Sequence, residues 1–105
     1  MAEQQYEQNI RKDLILAKES SLVVELFYKG GLRLVDPINI YVDKEGVELV
    51  LTWQVDGFSP KGGLPAWRTF YLGDIADVKV LRTTFQPPVD HKEKLESLQP
   101  VRVIA

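Results

Sequence analysis

The pattern of hydrophobic residues predicts a helix at the start of the chain. Tyr6, Ile10, Leu14 and Ala17 are separated by four, four and three positions, so they share one face of a helix. Charged side chains occupy the other faces. The spacing therefore predicts a helix over residues 3–18 that covers one end of a sheet.

From Leu22 onward the hydrophobic pattern has a period of two, which is typical of strands. SLVVELFY and LRLV are separated by a lysine and two glycines, a composition that favours a hairpin turn. We expect the second of these strands to end at Asp36 and Pro37, because proline cannot donate a hydrogen bond to a strand ladder. INIYV and the DKEG turn continue the hairpin pattern.

The longest alternating stretch lies over residues 47–55. Its odd-numbered positions are large and apolar, so we expect them to face the core: Val47, Leu49, Leu51, Trp53 and Val55. WRTFYL and VKVLR predict two more strands, and the two prolines of FQPPV end them.

Hairpin spacing without crossover helices favours a mainly β, α+β fold. We expect one domain over residues 1–105, with a small antiparallel barrel over residues 21–88, because closure removes exposed strand edges. HKEKLESL and VRVIA predict a tail over residues 89–105 that contains a short helix or strand.

Composition narrows the class of protein. The chain has 105 residues, a net charge of -2 and no cysteine. This charge argues against a protein that coats duplex phosphate, and the absence of cysteine excludes disulfides and thiolate sites. The acidic start and the lack of a long apolar run predict a cytoplasmic protein without membrane contact.

Enzymatic chemistry has little support in the sequence. His91, the only histidine, is expected on a solvated connection, and no set of residues predicts a metal site or a cofactor. The aspartates at expected turns are interpreted as bonding to their own backbone: Asp36, Asp43, Asp56 and Asp90. Gly62 and Gly63 lack phosphate-loop spacing. A binding module is therefore favoured over an enzyme.

Basic and aromatic residues around one loop suggest a binding site. Between Gly57 and Gly73 the only charged residues are Lys61 and Arg68, a local charge of +2. Arg68 shares the parity of inward-facing Phe70. A guanidinium in a packed core is costly unless paired, so we expect the arginines at strand ends, at the barrel mouth.

Arg82 shares the parity of the core positions on its own strand, and the same reasoning places it at the barrel mouth. Trp67 and Tyr71 have the opposite parity to Arg68 and are expected to form a stacking surface. Arginine beside aromatic rings suits a nucleotide or single-stranded nucleic acid. The alternative is that the arginines form internal salt bridges, with Asp36, Asp74 or Asp77 as candidate acids.

A second alternative treats the loop as a protein-interaction surface. Phe58, Leu64, Pro65 and Trp67 would then form an exposed apolar patch for a partner protein or a second copy of the chain.

The order of these segments resembles a WYL domain over about residues 10–90. The resemblance rests on VVELFY, on Arg33 ahead of a valine and a proline, on WRTFYLGDI, which is similar to R-x-F-x-L-x-x-I, and on Phe85. Short standalone relatives also carry a W-Q-V-x-G-x-S stretch. The chain departs from the family at 47–49, where only the leucine of the naming tripeptide agrees, and at Asp74, which replaces an arginine.

The resemblance implies an SH3-like or Sm-like barrel that senses a ligand, with nucleic acid or nucleotides as the ligand class. It assigns Arg33 and Arg68 to the family's basic motif. Parity and charge alone add Lys61, Trp67, Tyr71 and Arg82. The combined prediction is a non-enzymatic, regulatory binding module.

Overall fold

One long helix precedes an antiparallel sheet, and a short helix and strand follow it. The structure is a computed structural model that describes the backbone of residues 2–105 and the side chains of residues 9–105. The elements are α1 (Ala2–Ser20), β1 (Leu22–Tyr28), β2 (Gly31–Val42), β3 (Glu48–Gly57), β4 (Ala66–Tyr71), a 3-10 turn (Leu72–Asp74), β5 (Ile75–Thr84), α2 (His91–Ser97) and β6 (Arg102–Val103).

Helix α1 covers the sheet through the face that the spacing predicts. Ile10, Leu14 and Ala17 are buried, whereas Leu16 on the same helix is 55% exposed. The predicted contact of Tyr6 lies outside the described side chains. The helix packs against β1, β2 and β5, so its apolar face forms one wall of the core.

The strands form one antiparallel sheet in the order β4-β3-β2-β1-β5, and β6 pairs with β2. The expectation of a mainly β, α+β fold is confirmed. The expectation of a closed barrel is wrong, because β4 and β5 are the two edges and do not pair with each other in the described part of the chain. The chain after β5 runs instead to α2 and then to β6 beside β2.

Strand β2 runs through the point where the sequence predicts its end. Asp36 and Pro37 pair with Trp53 and Thr52 of β3, and the register shifts between Pro37 and Asn39. Because a bulge leaves one position out of the ladder, the missing proline donor is tolerated beside it. β2 therefore remains one strand of 12 residues that joins β1 to β3.

Both faces of β3 are buried, and each contributes to a separate core. The main core lies under α1 and contains Ile10, Leu14, Ala17, Val24, Leu26, Tyr28, Val35, Ile40, Val50, Phe70, Leu72 and Ile75. The second core lies on the opposite face and contains Ile38, Tyr41, Leu49 and Leu51, with Trp53, Trp67, Phe85, Leu95 and Leu98 packed against it.

The odd-numbered residues of β3 therefore face the smaller core. Leu49, Leu51 and Trp53 belong to the second core, while Thr52 and Gln54 on the other face are fully buried. The expectation that the odd-numbered positions face a core is confirmed for Leu49 and Leu51, which are buried, and is wrong for Val47 and Val55, which are 36% and 37% exposed.

The residues after β5 contribute to both faces of the sheet. Leu95 and Leu98 pack on the second core, whereas Ile104 and Ala105 pack against the main core. The backbone N of Ile40 donates to the carbonyl of Ala105 at 3.0 Å. No helix in the described residues has the length and apolarity needed to cross a membrane.

Candidate functional site

A basic pocket of about 200 Å³ lies beside β4. Its lining residues are Lys61, Trp67, Arg68, Thr69, Lys94 and Leu98. Three of the residues predicted from the sequence, Lys61, Trp67 and Arg68, are thus brought together, and α2 adds Lys94. The lining contains three cationic side chains and no acidic one, so its local charge is opposite in sign to the net charge of the chain.

Arg68 is held by neutral oxygen atoms. Its Nη1 donates to the carbonyl of Trp67 at 2.9 Å, and its Nη2 donates to the carbonyl of Gly62 at 2.9 Å and to Oγ of Ser59 at 3.4 Å. These bonds fix the guanidinium against the loop before β4. None of them neutralises its charge, so the guanidinium keeps its attraction for an anion.

The aromatic residues of β4 have different environments. Trp67 is half-buried and contacts Trp53 edge-on, with ring centroids 5.1 Å apart and planes at 68°. Its remaining surface lines the basic pocket. Tyr71 lies four positions along the strand and is exposed, outside the lining of the pocket. Only Trp67 is therefore placed to stack on a group bound there.

Arg33 is buried rather than placed at a strand end. It is 6% exposed, and its guanidinium lies 5.3 Å from the ring centroid of Tyr28 and 5.2 Å from those of Phe58 and Phe70. Nη2 donates to the carbonyl of Tyr28 at 3.1 Å. Aromatic faces attract a cation, and this cage replaces the acid that a buried arginine ordinarily requires.

The guanidinium of Arg33 is incompletely satisfied. Its Nε is buried without a hydrogen-bond partner. Burial lowers the pKa of Arg33, the nearby Tyr28 raises it, and the positive charge of Arg68 lowers it further. The two arginines are therefore close enough to repel each other.

Phe58 closes this cage because two glycines permit a close approach. Gly57 has φ +94, and a Cβ there would lie 2.4 Å from the carbonyl oxygen of Leu32. A Cβ on Gly31 would lie 2.2 Å from the Phe58 ring. The backbone N of Phe58 donates to the Leu32 carbonyl at 2.8 Å. The loop thus folds back onto the start of β2.

Arg82 does not join the other cations. It is exposed on β5, which is the edge of the sheet opposite β4 in the strand order. Arg82 therefore lies apart from the basic pocket, and its role in ligand binding stays a prediction.

None of the arginines predicted for the site forms a salt bridge with an acid among the described side chains. The ion pairs there join Arg11 to Glu48 and Lys29 to Asp74. Asp36 is buried, its Oδ1 has no partner, and burial raises its pKa to about 6. No basic side chain in the described part of the chain forms an ion pair with this buried carboxyl group.

The other candidate residues have structural contacts. Oδ1 of Asp43 accepts from the backbone N of Glu45 and of Val47, as expected for a turn aspartate. Asp56 lies at the end of β3, where its Oδ1 accepts from the backbone N of Gly57. The turn interpretation is wrong for Asp36, which lies within β2. His91 is half-buried, with Nδ1 2.9 Å from the carbonyl of Pro88. Among the described residues, no group of three potential ligands is placed to hold a metal ion.

Sequence reasoning missed two contributors to this region. Lys94 is four positions before Leu98, so a helix places both on one face, and that spacing was the available signal. Gln54 is fully buried, and its Nε2 donates to the carbonyls of Asp56 and Phe58. No sequence signal identified Gln54, because its contacts depend on the path of the loop.

The chain was also compared with known proteins by sequence and by structure. No protein family, curated protein or solved structure matches it.

Proposed function

We propose that this chain is a non-enzymatic module that binds an anionic ligand, with a nucleotide or single-stranded nucleic acid as the ligand class. The observation that supports this proposal is the convergence of Lys61, Arg68 and Lys94 around Trp67 without an acidic side chain in the lining. Cations beside an aromatic face match the phosphate and the base of such a ligand.

The residues have separate roles in this proposal. Lys61 and Lys94 contact the phosphate as mobile point charges, and Arg68 uses the N–H groups that its loop contacts leave free. Trp67 stacks on the base. Arg33 adds positive potential near the site, because its charge interacts with that of Arg68.

We also propose that the module is a WYL-like sensor that acts in the cytoplasm. A leading helix followed by an antiparallel sheet supports this proposal. Arg33 and Arg68 are the positions that the resemblance assigns to ligand recognition.

Titration of fluorescent oligothymidylate and of a fluorescent nucleotide at low and high salt tests the proposal. We expect saturable binding at low salt that weakens as salt rises, since phosphate contacts release counterions. K61Q/K94Q should weaken binding by about tenfold, because each lost phosphate contact removes a charge-assisted bond.

The matched control is K12Q/K44Q, which removes the same charge from exposed positions outside the pocket. Equal weakening by both double variants would indicate non-specific attraction and would contradict the site. Absence of saturable binding to both probes at low salt would contradict the function.

A second candidate function is protein interaction. Phe27 and Leu32 face each other across β1 and β2 and are 40% and 51% exposed. In the patch predicted from the sequence, Phe58 is 46% exposed and Pro65 is exposed, whereas Trp67 packs on the second core. Sedimentation at several concentrations tests this candidate, because a surface for a second copy would give association that Leu32→Asp abolishes.

A further inference from the structure

A second cavity, larger than the basic pocket, is lined by residues of α2 that do not line the basic pocket. It has a volume of about 520 Å³ and shares no lining residue with the basic pocket. Cavities that hold small molecules measure roughly 300–1,000 Å³. This large cavity therefore has the size of a ligand site, which the sequence did not predict.

The floor of the large cavity is apolar. Ile38, Phe85 and Leu95 contribute to it, and all three belong to the second core or pack against it. The backbone N of Phe85 donates to the carbonyl of Ser21 at 3.0 Å, which ties the segment after β5 to the start of β1. The floor is therefore held in place and offers surface for an apolar group.

The rim of the large cavity carries charge. Lys18 at the end of α1 and Lys92 on α2 lie on it together with Glu96, so two positive charges and one negative charge leave +1. Neither lysine forms an ion pair within the described part of the chain. The basic pocket, by comparison, has three cations and no acid. The large cavity thus suits a monoanion rather than a phosphate dianion.

His91 adds an oriented polar group. Its Nδ1 is 2.9 Å from the carbonyl oxygen of Pro88. Because that oxygen can only accept, Nδ1 carries the proton, which leaves Nε2 as the atom available to a ligand. His91 lines the large cavity, so its ring adds a polar edge next to Lys92.

We propose that the large cavity binds a small amphipathic carboxylic acid, whose apolar body packs on Ile38, Phe85 and Leu95 and whose carboxylate is held by Lys18 and Lys92. The site is independent of the basic pocket and of the function proposed for it. Its ligand differs in having one charge and an apolar body.

Titration of octanoate into the 15N-labelled protein tests this site. We expect saturable shifts of the backbone amides of residues that line the large cavity, and about tenfold weaker binding of octan-1-ol, since two ammonium groups favour the charged head. K18Q/K92Q should lower octanoate affinity to that of the alcohol. The matched control K12Q/K44Q should leave octanoate affinity unchanged.

Three outcomes would overturn the proposal: no saturable shift at millimolar octanoate, equal affinity for acid and alcohol in the unmodified protein, or unchanged octanoate affinity in K18Q/K92Q. K61Q/K94Q separates the two sites, because it should weaken oligothymidylate binding and leave octanoate binding intact. Loss of octanoate binding in that variant would place the acid in the basic pocket and contradict the proposal.

Discussion

The two faces of the sheet are buried in different ways. The face under α1 is covered by a long helix and carries the buried residues of the main core. The opposite face is covered by the short segment that contains α2, and the buried residues of the second core are completed by side chains that stay partly exposed. The main core is a closed interior, whereas the second core has accessible borders.

The two faces therefore have different roles: the main core stabilises the fold, and the borders of the second core hold both candidate binding sites. Both the basic pocket and the large cavity include residues of α2 and of the second core. Partial cover leaves aromatic and cationic side chains at the border, where a ligand can reach them. The face under α1 instead provides the rigid sheet on which these borders are built.

The first prediction tests the main core and has the largest expected effect. Leu14→Ala should lower the free energy of unfolding by about 2–5 kcal/mol, because the side chain is fully buried and its removal leaves a cavity. Urea denaturation measures this change. Leu16→Ala is the matched control on the same helix, and we expect a change within about 0.5 kcal/mol because Leu16 is exposed. Equal effects would contradict the assigned helix face.

The second prediction concerns pH and Asp36, which lies opposite Trp53 on the second face. Burial raises the pKa of Asp36 from 3.8 to about 6, so the folded state holds this proton more tightly than the unfolded state. Its contribution to stability is present below the unfolded pKa and is lost as the pH rises through about 6. The loss is about 3 kcal/mol at most.

Urea denaturation of the unmodified protein and of Asp36→Asn at several pH values measures this contribution. The unmodified protein should lose stability relative to Asp36→Asn between about pH 4 and pH 6, the window that follows from the two pKa values. Asp90→Asn, at an exposed position, should follow the unmodified protein. A constant difference between the protein and Asp36→Asn across this range would show that Asp36 does not titrate as described.

The third prediction tests the second core. Leu98→Ala should cost about 1–2 kcal/mol, less than Leu14→Ala, because Leu98 is only partly buried and loses less apolar contact. The same variant should weaken oligothymidylate binding, since Leu98 lines the basic pocket beside Lys94. A loss of stability equal to that of Leu14→Ala would mean that the two faces contribute alike.

Local patterns predicted the elements better than their assembly. The spacing of Ile10, Leu14 and Ala17 identified the buried face of α1, because helix periodicity depends only on the chain itself. Sheet closure was predicted wrongly, since pairing of the edges depends on where the chain after β5 travels. The path of β2 through Pro37 was also missed, because the bulge that tolerates the proline is set by its partner strand.

In the candidate site, too, residues with a local sequence signal were predicted and residues placed by tertiary packing were missed. Lys61 and Arg68 were found because a stretch without acids is visible in the sequence. Lys94 was missed, because α2 reaches the pocket only through tertiary packing. The burial of Arg33 was unexpected, since the aromatic cage combines residues from β1, β4 and the loop after β3.

The smallest expected effect concerns Arg33, the cation of the main face. Arg33→Met should raise the free energy of unfolding by about 1 kcal/mol, because it replaces a buried charge with an unpartnered Nε by an apolar chain of similar length. The aromatic cage offsets part of the burial cost, which keeps the gain small. Urea denaturation measures the change, and a loss above about 1 kcal/mol would show that the cage more than compensates for burial. If Arg33 also supplies potential to the basic pocket, the same variant should weaken oligothymidylate binding while stabilising the fold. Weaker binding together with a higher free energy of unfolding would show that the charge of Arg33 serves binding rather than stability.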